Sequence, residues 1–112
     1  MPLKATRFYE SPTGNKVVLQ WLRDLDKPIR AAIGEDIRHA QTRWPIGMPL
    51  VRKMGKKGKI WEVRTTLADG IARSLFTVVS EEMVILHAFI KKDRKTPKED
   101  LNLAEKRRKE IV

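Results

Sequence analysis

Apolar side chains recur every three or four residues in the first half of the chain, and this spacing predicts two helices. The apolar face of the first helix consists of Val18, Trp21, Leu22 and Leu25. Asn15 is its expected cap. The second helix should begin at Asp26-Lys27-Pro28 and end near Trp44-Pro45, because the residue before a proline avoids the helical conformation. The apolar stripe of the second helix consists of Ile29, Ala32, Ile33, Ile37 and Ala40.

Two further segments flank these helices. Residues 3–9 are partly apolar and end at the turn-prone segment 11–14, which predicts a first strand. Residues 46–59 combine glycine and proline with five basic side chains, and we expect a positively charged loop. Lys56 and Lys57 in this segment are candidate contacts for an anionic partner.

Three consecutive strands are predicted after that segment. Apolar and polar side chains alternate in residues 60–67, which is typical of a strand with one buried face. Asp69-Gly70 is a signal for a tight hairpin turn. Residues 71–79 and 83–90 are almost continuously apolar, so we expect both strands in the interior of the sheet.

A polar helix is predicted at the C-terminus. Thr96-Pro97-Lys98-Glu99 has the pattern of a capping box, with threonine as cap and glutamate at the third helical position. The face that this helix would turn inward consists of Leu101, Ala104, Arg108 and Ile111, and its packing should be slight.

The order strand, helix, helix, strand, strand, strand, helix (β-α-α-β-β-β-α) predicts a single α+β domain over residues 1–112. Its sheet should be mixed or antiparallel. We expect the two N-terminal helices on one face of the sheet and Arg64 with its neighbours on the other.

Charge narrows the function more than any other bulk property. The 112 residues include 24 Lys and Arg and 14 Asp and Glu, a formal net charge of +10. This surplus predicts an anionic partner, with nucleic acid first and a membrane surface or an acidic protein second. The hydrophobic fraction of 41% argues against a disordered basic tail.

Several classes of protein are excluded by what the sequence lacks. The absence of cysteine excludes disulfides, cysteine-bound zinc and thiol nucleophiles, and two histidines are too few for a histidine-rich metal centre. No apolar run approaches the roughly 20 residues that span a bilayer. Residues 1–10 lack the apolar core of a signal peptide. We therefore expect a cytoplasmic protein with no membrane partner, metal or cofactor.

The strongest local signal is a basic cluster next to the last predicted helix. The cluster consists of Lys91, Lys92, Arg94, Lys95 and Lys98. Cations at a helix N-terminus oppose the helix dipole unless an anion binds there, so the arrangement favours phosphate binding. Phe89 beside the cluster could stack on a base. A solvated run of charges explains the same residues equally well.

Three further side chains are candidates for chemistry. Arg64 and Arg73 lie in the middle of neighbouring strands, where two guanidinium groups can converge on one phosphate. The alternative is that both are structural and that either one pairs with Glu62. His87 interrupts an apolar strand, which is more typical of a buried structural histidine than of a general acid or base.

The sequence resembles the RelE/ParE toxin superfamily, and most closely its HigB-type, phage-derived branch. The residues that carry the resemblance are Ile60-Trp61-Glu62-Val63-Arg64, then Arg73, then the segment from His87 to Pro97. The chain departs from the family pattern at Ala72, where many relatives have tyrosine. Its last predicted helix also lacks the tyrosine that some RelE members use.

The resemblance implies the toxin of a toxin–antitoxin pair: an endoribonuclease that cuts messenger RNA on the ribosome without a metal. Its implied partner is a HigA-like antitoxin with a helix-turn-helix. By position, Arg64 and Arg73 match basic site residues of the family, and Lys91 and Lys92 match the basic residues after the last strand.

Metal-free RNA cleavage needs a base for the 2′-hydroxyl, positive charge at the phosphate and an acid for the leaving oxygen. Arg64 and Arg73 suit the charge, Lys91 or Lys92 suits proton transfer, and His87 or Glu62 suits the base. The expected RNA contacts are Lys91, Arg94, Lys95, Phe89, Lys56 and Lys57. Two other functions remain open: a nucleic-acid-binding module without catalysis, and a gyrase-directed, ParE-like inhibitor.

Overall fold

The computed structural model describes residues 2–54, 58–92 and 95–111. Its elements are β1 (Ala5–Phe8), α1 (Val17–Arg23), α2 (Lys27–Thr42), β2 (Val51–Met54), β3 (Ile60–Leu67), β4 (Gly70–Val79), β5 (Glu82–Lys91) and α3 (Lys98–Ile111). The predicted α+β class is confirmed, with three helices and a mixed sheet in this part of the chain. None of these helices is long and apolar enough to cross a membrane.

The sheet has the strand order β1-β5-β4-β3-β2. β1 runs parallel to β5, and the other neighbouring strands are antiparallel. The Asp69-Gly70 signal is confirmed, because β3 and β4 form a hairpin that closes with Leu67 opposite Gly70. β4 and β5 lie in the interior of the sheet, as their apolar sequences predict.

The segment predicted as a basic loop contains the edge strand β2, so that prediction was wrong in part. Val51 and Met54 are buried, whereas Arg52 and Lys53 between them are exposed. Four residues with this pattern show no clean alternation, and the glycines and prolines around them favour a loop. Exposed basic residues are typical of edge strands, since charge discourages pairing with another chain. Lys56 and Lys57 lie outside the described residues.

α1 and α2 cover one face of the sheet, as predicted. Ile33 and Ile37 of α2 are buried in a core with Val63 and Phe76 from the sheet. Trp44 after the helix contacts the rings of Trp61 and Phe76 at centroid distances of 5.1 and 5.6 Å.

Neither of the N-caps predicted for α1 and α2 forms a side-chain capping hydrogen bond. Lys16 occupies the cap position of α1, and Asn15 bonds backward into the preceding turn, with its Nδ2 donating to Thr13 Oγ1. Asp26 does occupy the cap position of α2, but its side chain makes no capping hydrogen bond. α2 ends at Thr42, two residues before Trp44.

α3 packs on the opposite face of the sheet, the face of Arg64, although the sequence predicted only slight packing for this helix. Ala104 is fully buried against a second apolar core. The strand residues of that core are Met54, Ile60, Leu75, Val84, Leu86 and Phe89. The small side chain of Ala104 allows the helix to approach the sheet closely. An alanine adds little to the apolar pattern of a helix, so the sequence pattern underestimated this packing. The sheet is therefore covered on both faces.

The C-terminal half of α3 is held to the sheet by polar contacts around Tyr9. The Tyr9 hydroxyl donates to Glu110 Oε1 at 2.9 Å. Arg107 lies 4.9 Å from the centre of the Tyr9 ring and donates through NH1 to the Leu86 carbonyl at 2.8 Å. Burial and the neighbouring Glu110 carboxylate raise the pKa of the Tyr9 phenol above 10.0.

The raised pKa of Tyr9 predicts a loss of stability in alkali. Tyr9 is the single tyrosine in the sequence, so the ultraviolet absorbance of phenolate reports it alone. Its contribution to stability is fully present below the pKa of the unfolded chain, about 10, and is lost as the pH rises through the higher pKa of the folded state. A titration midpoint that is no higher in the native protein than in urea would contradict this account.

Candidate functional site

The candidate site lies on the face of the sheet that α3 covers. Arg64 of β3 pairs with Arg73 of β4, which pairs with Phe89 of β5, so these residues form one row across three strands. The next row contains Glu62, Leu75 and His87. Two strand spacings, roughly 10 Å, separate the backbones of Arg64 and Phe89.

A bulge in β5 brings His87 into this site. Leu75 is paired with His87 and the next residue, Phe76, with Ile85, so Leu86 is an extra residue in β5. Strict alternation would place His87 on the same face as Ile85, which belongs to the core under α1 and α2. The bulge turns His87 to the other face, toward α3.

Glu62 and Arg73 form a buried ion pair at the centre of the site. Both side chains are 0% exposed, and Arg73 NH1 lies 3.4 Å from Glu62 Oε1. The sequence left open whether Arg73 pairs with Glu62 or with a substrate phosphate, and the structure favours Glu62. Arg73 therefore shapes the site from below the surface and does not present its guanidinium to solvent.

Thr96 joins the buried pair and does not act as the predicted helix cap. Its hydroxyl donates a short hydrogen bond to Glu62 Oε2 and accepts one from Arg73 NH1 at 3.3 Å. The first turn of α3 uses the Pro97 carbonyl, which accepts from the backbone N–H groups of Asp100 and Leu101. The segment before α3 is thus fastened to β3 and β4 through Thr96.

Of the two candidate arginines that the structure describes, Arg64 is the one that reaches the surface. Its side chain is 19% exposed, and its Nε lies 3.8 Å from Glu62 Oε1. It lines a cleft of about 540 Å³ together with Asp36, Met48, Pro49, Leu50, Thr66 and Ile71. The Glu62 carboxylate is shared between two arginines and its contact with Arg64 is the longer one, so the Arg64 guanidinium is not fully engaged by Glu62 and suits a phosphate.

His87 is held by Asp100, a residue that the sequence analysis did not select. His87 Nε2 lies 2.7 Å from Asp100 Oδ1, and each side chain is 16% exposed. Lys91 Nζ lies 3.4 Å from Asp100 Oδ2. The Phe89 ring stacks on His87 at 5.4 Å, and Lys91 lies 5.7 Å from the centre of the same ring. An acidic residue in the first turn of a helix is so common that nothing in the sequence marks Asp100.

Exposed lysines border this arrangement. Lys92 and Lys95 are exposed and form no ion pair within the described residues. Lys98 at the start of α3 is also exposed. Arg94 lies outside the part of the chain that the structure describes. Within that part no three His, Asp or Glu side chains are grouped to hold a metal ion.

The fold is α+β with a mixed sheet and a basic site on the face that α3 covers, and the class of protein is that of RelE/ParE-type toxins. The chain belongs to the family of phage-derived Gp49-like proteins (DUF891), whose model matches residues 20–109. This family is associated with the toxins of toxin–antitoxin pairs. No curated protein matches the chain.

Proposed function

We propose that this protein is a toxin that stops translation by cutting messenger RNA on the ribosome. We further propose that it belongs to the HigB-type branch and that a HigA-like helix-turn-helix antitoxin neutralises it. The observation that supports cleavage most strongly is the grouping on one sheet face of a surface arginine, Arg64, and a histidine with a carboxylate partner, His87. Exposed lysines beside them supply positive charge for the RNA backbone.

The proposed reaction is an internal transfer within the RNA. A base removes the proton of a ribose 2′-hydroxyl, and the 2′-oxygen attacks the adjacent phosphorus. The bond from phosphorus to the 5′-oxygen breaks, and that oxygen takes up a proton. The products are a 2′,3′-cyclic phosphate and a 5′-hydroxyl end. Arg64 stabilises the charge that builds on the phosphate, and the exposed ammonium group of Lys92 supplies the proton.

His87 is a better candidate than Glu62 for the base. Glu62 is fully buried, and its two oxygens are engaged by Arg73 and Thr96. His87 is partly exposed, and only one of its two ring nitrogens, Nε2, contacts Asp100. Arg73 acts in this scheme as a positioning residue, because it holds Glu62 beneath Arg64.

Expression of the chain alone is expected to arrest bacterial growth, and co-expression of the cognate antitoxin should restore it. The physical reason is that cleavage consumes the messages needed for every new protein. Growth curves with and without the antitoxin check this, with immunoblots to confirm soluble protein. Normal growth at a high soluble level of the chain would contradict the proposal.

Binding to single-stranded RNA is expected to weaken steeply with salt. Each neutralised phosphate contributes about −0.7 to the slope of log K against log salt. Replacing Lys92 and Lys95 together by glutamine should therefore make the slope shallower by about 1.4. The matched control replaces two exposed lysines, Lys16 just before α1 and Lys27 at the start of α2, and should leave the slope almost unchanged. Binding that does not respond to salt would rule out this interface.

A further inference from the structure

We propose that Asp100 is a positioning residue that fixes which ring nitrogen of His87 carries the proton, so that Nδ1 is the base for the RNA 2′-hydroxyl. The inference rests on the proposed nuclease function for its catalytic part. The control of the ring by Asp100 is a separate physical claim and can be measured without RNA.

The contact between Asp100 and His87 holds the imidazole ring in one orientation. Asp100 Oδ1 lies 2.7 Å from His87 Nε2, well within hydrogen-bond distance. Asp100 comes from α3 and His87 from β5, so the contact depends on the way the helix packs on the sheet. Both side chains are largely buried, which limits competition from water.

A carboxylate accepts hydrogen bonds and does not donate them, and this determines the tautomer. The neutral ring must carry its proton on Nε2 to bond with Asp100, so Nδ1 keeps its lone pair. Within the described residues Nδ1 makes no hydrogen bond, and it is not among the fully buried polar atoms that lack a partner. Nδ1 is thus the ring nitrogen that remains available to solvent and to a substrate hydroxyl.

Two further contacts restrain the ring and the carboxylate. Phe89 stacks against His87 with an angle of 30° between the ring planes, which limits rotation of the imidazole. Lys91 pairs with Asp100 Oδ2 and leaves Oδ1 directed at the histidine. A base held in this way needs little reorganisation when the 2′-hydroxyl arrives.

The functional test compares Asp100→Asn with Glu99→Gln. Both changes remove one negative charge from the first turn of α3, but Glu99 is exposed and does not contact His87. Asp100→Asn is expected to lower kcat for RNA cleavage by roughly 10- to 100-fold, part of what a general base supplies, with little change in KM. Glu99→Gln should retain wild-type cleavage. In a His87→Gln background, Asp100→Asn should have no further effect.

The direct test is the ¹⁵N NMR spectrum of the imidazole rings, recorded at a pH where they are neutral. We expect the His87 ring of the wild type to be protonated on Nε2. An amide can either accept from or donate to that nitrogen, so Asp100→Asn should give a mixture of tautomers. His39, which contacts Glu35 on α2, is the internal reference and should not change.

The outcomes separate the two claims. A wild-type ring protonated on Nδ1, or an unchanged spectrum in Asp100→Asn, would overturn the inference whatever the activity. Wild-type cleavage by Asp100→Asn would also overturn it. If the tautomer responds as expected but even the wild type leaves RNA intact, the proposed nuclease function fails, and the control of His87 by Asp100 stands.

Discussion

Arg73→Met is expected to lower the free energy of unfolding by about 3 kcal/mol, because it leaves the Glu62 carboxylate buried without its closest cation. Both side chains are inaccessible to solvent, and NH1 of Arg73 bonds to Glu62 and to Thr96. The value is at the low end for a buried pair, since Arg64 and Thr96 still contact Glu62. Urea denaturation of the variant and the wild type measures the change.

The matched control for this prediction removes both charges. The double variant Glu62→Leu with Arg73→Met should recover most of the lost stability, because replacing both partners of a buried pair by apolar groups is often nearly neutral. If Arg73→Met unfolds at the same urea concentration as the wild type, Arg73 does not stabilise the site through Glu62.

Arg64→Ala is expected to lower the rate of RNA cleavage by roughly 10²- to 10³-fold, which is the usual effect of removing one donor that stabilises transition-state charge. The loss of stability should be small, since Arg64 is partly exposed and its contact with Glu62 is long. Cleavage assays and thermal melting on the same preparation separate the two effects.

Arg38→Ala is the matched control for Arg64→Ala. It also removes one arginine from an ion pair with a glutamate, the exposed pair between Arg38 and Glu35 on α2, on the other side of the sheet. We expect wild-type cleavage from this variant. Near-wild-type cleavage by Arg64→Ala would exclude Arg64 from the reaction and leave only a structural role for it.

The sequence predicted those parts of the fold in which the hydrophobic periodicity or the turn signal is strong. The apolar stripe of α2 has the helical spacing over about three turns, and Asp69-Gly70 marks the β3–β4 hairpin. The apolar sequences of β4 and β5 indicate strands with neighbours on both sides. These signals are local and depend little on the rest of the chain.

The placement of α3 depends on distant residues and could not be predicted in the same way. Ala104 is a weak apolar signal, yet it is fully buried in the core between α3 and the sheet, because its small side chain permits a close approach. Tyr9 and Arg107, 98 positions apart in the chain, complete the attachment through a ring contact. A sequence pattern cannot show that these two residues meet.

The candidate site combines predictable and unpredictable parts. The position of Arg64 opposite Arg73 follows from the hairpin register alone. The face on which His87 lies depends on the bulge at Leu86, which has no glycine or other sequence signal. Asp100 becomes a site residue only because that bulge and the packing of α3 bring it to His87.

The measurement that tests the central claim most directly is the mapping of messenger RNA ends after the protein is added to translating ribosomes. We predict new ends within translated messages, with 5′-hydroxyl termini, that are absent with Arg64→Ala and present with Arg38→Ala. Halted translation with intact messages would contradict cleavage and indicate a binding module, and an altered plasmid topology with intact messages would indicate a gyrase target.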